Sequence, residues 1–108
     1  MGIQKDAGEI LLFIYQKYIE KHSITLANIE ILNKETGWEK VRIKNAVQYL
    51  GHRKLVDISH FAGGGDFNIY GVYPNGVDII ENKQKFKNTF GFGINFGLIN
   101  FSWNGARK

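Results

Sequence analysis

A chain of 108 residues, 44% apolar and 22% charged, is long enough for one domain with one modest core and too apolar to be disordered throughout. It has no cysteine, which excludes disulfides and thiolate metal sites. It also has no apolar run near the roughly 20 residues of a bilayer span and no signal core in its first ten residues, so a soluble, cytoplasmic protein is expected. The net charge is +4 and unevenly placed: ten bases balance ten acids through Gln84, yet Lys40, Arg42, Lys44, Arg53 and Lys54 crowd into fifteen residues, and the tail adds Lys85, Lys87, Arg107 and Lys108.

The first predicted element is a helix from about Asp6 to Lys21. Asp6 can cap it, and Glu9 stands three residues later, the spacing of a capping box. Ile10, Leu11, Ile14 and Tyr18 form one apolar stripe, and Leu12, Tyr15 and Ile19 form a second. A helix apolar over so much of its circumference packs against more than one surface, here the tail or a partner subunit. Ile24 has the setting of a very short strand. Thr25 then caps a second helix to about Glu35, with Leu26, Ile29 and Leu32 inward, and Gly37 ends it.

A third helix is expected from Trp38 or Glu39 to about Arg53, with Val41, Ile43, Val47 and Leu50 inward and Ala46 allowing close packing. Leu55–His60 and Phe67–Val72 alternate around the glycine-rich segment 61–66, which is a hairpin signal. Pro74 opens a short helix to about Asn82 or Gln84. The fold class that follows is α+β, with residues 1–84 as one domain.

From Lys85 the composition shifts to glycine, asparagine and aromatics. Phe90, Phe92, Ile94, Phe96 and Leu98 alternate with small or polar residues, and Phe101 and Trp103 resume the pattern. Period two reads as a strand or hairpin with its large groups on one face, forming a C-terminal extension over 85–108. That face needs a cover. One cover is the chain's own first helix at Leu12, Tyr15 and Ile19. Another, favoured slightly, is the same helix of a second subunit, giving a homodimer. Self-templating β assembly and stacking on nucleic acid are two further readings.

Residues 37–56, GWEKVRIKNAVQYLGHRKLV, resemble the recognition-helix segment of winged helix-turn-helix regulators of the MarR and PadR type. In those families a glycine ends the second helix, a polar helix with inward aliphatics follows, and Leu-Val opens the wing. Gly37, Ile43, Val47, Leu50, Leu55 and Val56 fall in those places. Tyr70–Val77 resembles the segment after the wing, with Val72 and Gly76 in the leucine and glycine positions and Tyr73 replacing the threonine. The resemblance covers about Asp6 to Gln84. It implies three helices, a two-stranded wing and a short fourth helix, and a prokaryotic transcription regulator that binds double-stranded DNA with its third helix in the major groove.

Lys40, Arg42, Lys44, Asn45 and Gln48 are the polar candidates on that helix. Arginine and lysine suit guanine O6 and N7, and asparagine and glutamine suit adenine N6 and N7. Arg42 and Asn45 are taken as base readers, Lys40 and Lys44 as mixed contacts, and Arg53 and Lys54 as phosphate contacts. The alternative for all of these is an ordinary solvated helix face. Trp38 covers the turn as core or rests on the sugar-phosphate backbone. The wing departs from the family: its tip is Gly63–Gly65 followed by Asp66, which repels phosphate, and His60 is the nearest cation. His22, His52 and His60 lack metal-ligand spacing, no serine stands in a nucleophile motif, and the glycine run is no phosphate loop. No catalysis, metal or cofactor is expected. The competing function is a winged-helix protein-interaction module that assembles through its aromatic extension.

Overall fold

The longest described element is a helix, α1 (Ile3–Glu20), which packs against the third, fourth and fifth helices and the third strand. In the computed structural model, which describes residues 2–20, 26–60 and 66–93, its side chains from Asp6 to Ile14 are buried apart from Glu9, and it emerges into solvent at Tyr18 and Ile19. The remaining elements are β1 (Ala27–Asn28), α2 (Ile29–Thr36), α3 (Lys40–His52), β2 (Val56–His60), β3 (Phe67–Val72), α4 (Pro74–Ile80) and α5 (Lys83–Phe90). Among the described residues, five helices and one three-stranded antiparallel sheet make an α+β fold.

The start of α1 corrects the expected cap. The helix begins at Ile3, and the Asp6 N–H already donates to the Gly2 carbonyl (3.0 Å). Asp6 therefore lies inside the first turns, where its carboxylate serves a long-range contact instead of capping. Thr25, the expected cap of the second helix, and Ile24, the expected strand, lie outside the described residues. Asn28 caps α2, its side-chain oxygen accepting from the Ile31 N–H (2.8 Å). Leu26, expected in the helix, precedes β1 and donates its N–H to the Ile69 carbonyl (2.7 Å). The start of the expected helix is thus taken into the sheet as a third strand.

The sheet order is β1-β3-β2. Ala27 opposes Ile69, and Val56 and His60 oppose Val72 and Phe67. The register slips between Asp57 and Ile58, whose partners are Gly71 and Ile69, so Tyr70 is the extra residue of a bulge. Phe67, Ile69, Val56 and Leu55 point into the core. Gly76 lets α4 close on the start of the hairpin: a Cβ there would lie 2.5 Å from the Leu55 carbonyl oxygen. That carbonyl accepts from the Tyr73 N–H (2.9 Å).

The C-terminal side differs most from expectation. The fourth helix stops at Ile80, and a new helix starts at Lys83, where Asn82 Oδ1 accepts from the N–H groups of Gln84 and Lys85. Lys85, the expected start of a β extension, is thus inside α5. Phe86 and Phe90 on α5 are buried in the common core, their rings 4.8 Å apart. The helix ends at Gly91, which adopts φ 82° and donates its N–H to the Lys87 carbonyl. Phe86 and Phe90 stand four residues apart, a helical spacing. Ile94, Phe96, Leu98, Phe101 and Trp103 lie outside the described residues.

Candidate nucleic-acid interface

The turn that sets α3 against α2 is held by four polar contacts. Gly37 adopts φ 74° and donates to the Asn33 carbonyl (2.9 Å). The Asn33 amide donates to the Trp38 carbonyl (2.8 Å), and the Trp38 N–H donates to Thr36 Oγ1 (3.0 Å). Thr36, fully buried, donates its hydroxyl to the Leu32 carbonyl (2.6 Å). Each buried polar group of the turn thus has a partner, which fixes the direction of α3. Trp38 is 8% exposed and belongs to the core, the first of its two sequence readings.

From that turn α3 presents two faces. Ile43, Ala46, Val47 and Leu50 are buried against the rest of the domain. Val41, Lys44, Asn45, Gln48 and His52 are exposed, and their spacing of three, four, seven and eleven from Val41 makes one outward stripe. Lys40 is exposed beside it. The side chains of Lys40, Lys44, Asn45 and Gln48 make no hydrogen bond or ion pair to another described residue. The expected inward place of Val41 is corrected: it is 66% exposed. Leu50 stands nine residues further on, roughly two and a half turns, so the two must lie on opposite faces.

Arg42 stands apart from this stripe. Its Nε donates to Asp6 Oδ2 (2.8 Å) and its second terminal nitrogen to Asp6 Oδ1 (3.0 Å), a bidentate pair. Its guanidinium also lies 4.0 Å from the centre of the Trp38 ring. The hydrogen bonds from Asp6 push its pKa above the ordinary arginine value, so its charge is fixed and internally matched. The residue expected to read bases therefore ties α3 to α1. The sequence did hold a signal for this pair. Asp6 precedes Ile10 and Ile14 at intervals of four, an acid on the most apolar stripe of its helix, which calls for a cationic partner.

The other candidates are dispersed. Arg53 and Lys54 follow the last turn of α3, both exposed, with the Arg53 guanidinium 5.6 Å from the Tyr49 ring. Lys54 takes the left-handed conformation (φ 57°) that turns the chain into β2. Neither β2 nor β3 carries a lysine or arginine. His60 is exposed, and Asp66 accepts from the Phe67 N–H (2.7 Å), while the tip at 61–65 lies outside the described residues.

Apart from Ile19, the residues expected at a dimer interface are used within the chain where they are described. Leu12 and Phe90 are buried in the core, and Phe92 packs against it. The Tyr15 hydroxyl donates to Glu81 Oε2 (2.7 Å), and this bond, with burial second, pushes its pKa up to about 12. Ile19 alone of that α1 stripe stays open, 55% exposed.

Among the described residues there is no group of three or more histidine, aspartate or glutamate side chains placed to hold a metal ion, and no helix long and apolar enough to cross a membrane. The chain matches no family model, no curated protein and no solved structure.

Proposed function

We propose that this chain is a winged helix-turn-helix protein that binds double-stranded DNA with the outward stripe of α3 in the major groove. The observation that carries the reading is that stripe: Lys44, Asn45 and Gln48, with Lys40 beside them, are exposed, carry major-groove donors and acceptors, and make no side-chain hydrogen bond or ion pair to another described residue. Further support comes from the order of elements, with a tight α2–α3 turn followed by the hairpin β2–β3 and then α4. In this reading Asn45 and Gln48 contact bases, Lys40 and Lys44 contact bases or phosphates, and Arg53 and Lys54 contact phosphates. Arg42 positions α3 and does not read bases. The hairpin strands bring no lysine or arginine of their own, so affinity for one site rests on α3. Such a protein gains by binding as a homodimer to two half-sites, in keeping with a transcription regulator.

The test is fluorescence anisotropy with a mixed-sequence duplex over a salt series, comparing wild type with Lys40→Ala/Lys44→Ala. Wild type should bind at low salt and weaken as salt rises. Loss of two phosphate contacts would flatten the log–log slope by about 2. Absence of binding by wild type at low salt overturns the reading.

A further inference from the structure

Val41 is the most exposed of the large hydrophobic side chains among the described residues, at 66%. Nothing in the fold accounts for it. A β-branched residue is a weaker helix former than the lysine, glutamine or arginine found elsewhere on α3, and no burial compensates. It is not part of an apolar patch either. Its neighbours one turn on are Lys44 and Asn45, with Lys40 beside it and Gln48 beyond, all polar and exposed. A protein-docking surface groups its apolar side chains, whereas this one stands alone among donors and acceptors.

The major groove has the complementary pattern. Its floor is lined by hydrogen-bonding edges, interrupted by a single kind of apolar group, the C5-methyl of thymine. We infer that Val41 is a specificity-determining residue that selects thymine through that methyl group. The inference rests on the DNA-binding reading above and adds the base it prefers. Val41 sits in the first full turn of α3, the end of a recognition helix that contacts base edges. Asn45 is one turn away, about 5–6 Å between Cβ atoms, against about 3.4 Å between successive bases along a strand. The preferred site therefore carries the thymine within about two steps of the base pair that Asn45 contacts. Cytosine, with only a hydrogen at C5, offers Val41 less to touch.

The experiment selects duplexes from a pool with a randomised centre, using the full chain as wild type and as Val41→Ser. The best wild-type duplex is then remade with uracil in place of the selected thymine, which removes the methyl group and leaves the base pair intact. Burial of one methyl-sized group corresponds to about a fourfold change in affinity. The expected result is a fixed thymine in the wild-type pool, about fourfold weaker binding after uracil replacement, and neither effect with Val41→Ser. A fixed site that tolerates uracil without loss, or a uracil penalty equal in both proteins, overturns the role of Val41 and leaves DNA binding standing. A wild-type protein that selects no sequence overturns it as well, and one that retains no duplex overturns both readings. Should Val41→Ser lose its cooperative melt, Val41→Gln takes its place under the same criteria, glutamine being a good helix former at an exposed position.

Discussion

At the scale of single residues the Asp6–Arg42 pair separates what the protein uses to fold from what it offers to a partner. The two ends differ in setting. The Asp6 side chain is 8% exposed and that of Arg42 is 41% exposed. Removing the arginine strands a buried carboxylate, whereas removing the aspartate frees a guanidinium that water can reach. Arg42→Ala should therefore cost about 3 kcal/mol, at the level of a broken buried pair. Asp6→Ala should cost about 1–2 kcal/mol, the loss of charge-assisted hydrogen bonds. The double variant should cost less than the sum, because the two side chains act as one unit. Urea unfolding of the four proteins checks this, and an Asp6→Ala cost above that of Arg42→Ala would contradict it.

At the scale of elements, the contact of α5 with α1 decides the C-terminal half of the fold. Gly8 on α1 faces Phe90 and Phe92, and a Cβ there would approach both rings to 2.8 Å. Alanine favours a helix interior by about 1 kcal/mol over glycine, but overpacking costs about 1–3 kcal/mol, so Gly8→Ala should destabilise. Gly51 in α3 is the control, since a Cβ there meets only Ile58 Cγ2 at 3.6 Å. Gly51→Ala should stabilise by up to about 1 kcal/mol. Opposite signs in thermal melts bear out the close approach, and equal signs refute it. The same contact shows why the sequence was legible in some places and opaque in others. The hairpin and the buried side of α3 follow from period two and from the places of Ile43, Val47 and Leu50, because both patterns are local. The α5 helix had local signals too, in Asn82, the Phe86–Phe90 spacing and Gly91. They were masked by the longer alternation that starts at Phe90. The Asp6–Arg42 pair joins residues 36 apart: the place of Asp6 on an apolar stripe calls for a cation, but no local period names which one. What the sequence did mark was the cluster of bases on α3, though not which of them is engaged at home.

At the scale of the molecule, stability and the candidate interface are assigned to different surfaces. The core runs continuously from the sheet through α1 to Phe86 and Phe90 on α5, while Lys40, Val41, Lys44, Asn45 and Gln48 are exposed and lie outside it. Substitutions should therefore sort into two classes. Phe86 is fully buried, so Phe86→Ala should cost about 3–5 kcal/mol, a large share of the roughly 5–15 kcal/mol that hold a domain together. Its melting temperature should fall by well over 10 °C, at about 4–8 °C for each kcal/mol in a domain of this size. Lys44→Ala/Gln48→Ala, on the open stripe, should leave the melt within about 0.5 kcal/mol of wild type. Duplex binding, measured at a temperature where every variant is folded, should show the reverse order. It should be nearly unchanged for Phe86→Ala and weakened for Lys44→Ala/Gln48→Ala. If the stripe variants melted early, α3 would be part of the core and not a free face. If Phe86→Ala bound DNA as poorly as the stripe variants while still folded, the binding surface would reach α5, and the separation of the two surfaces would fail.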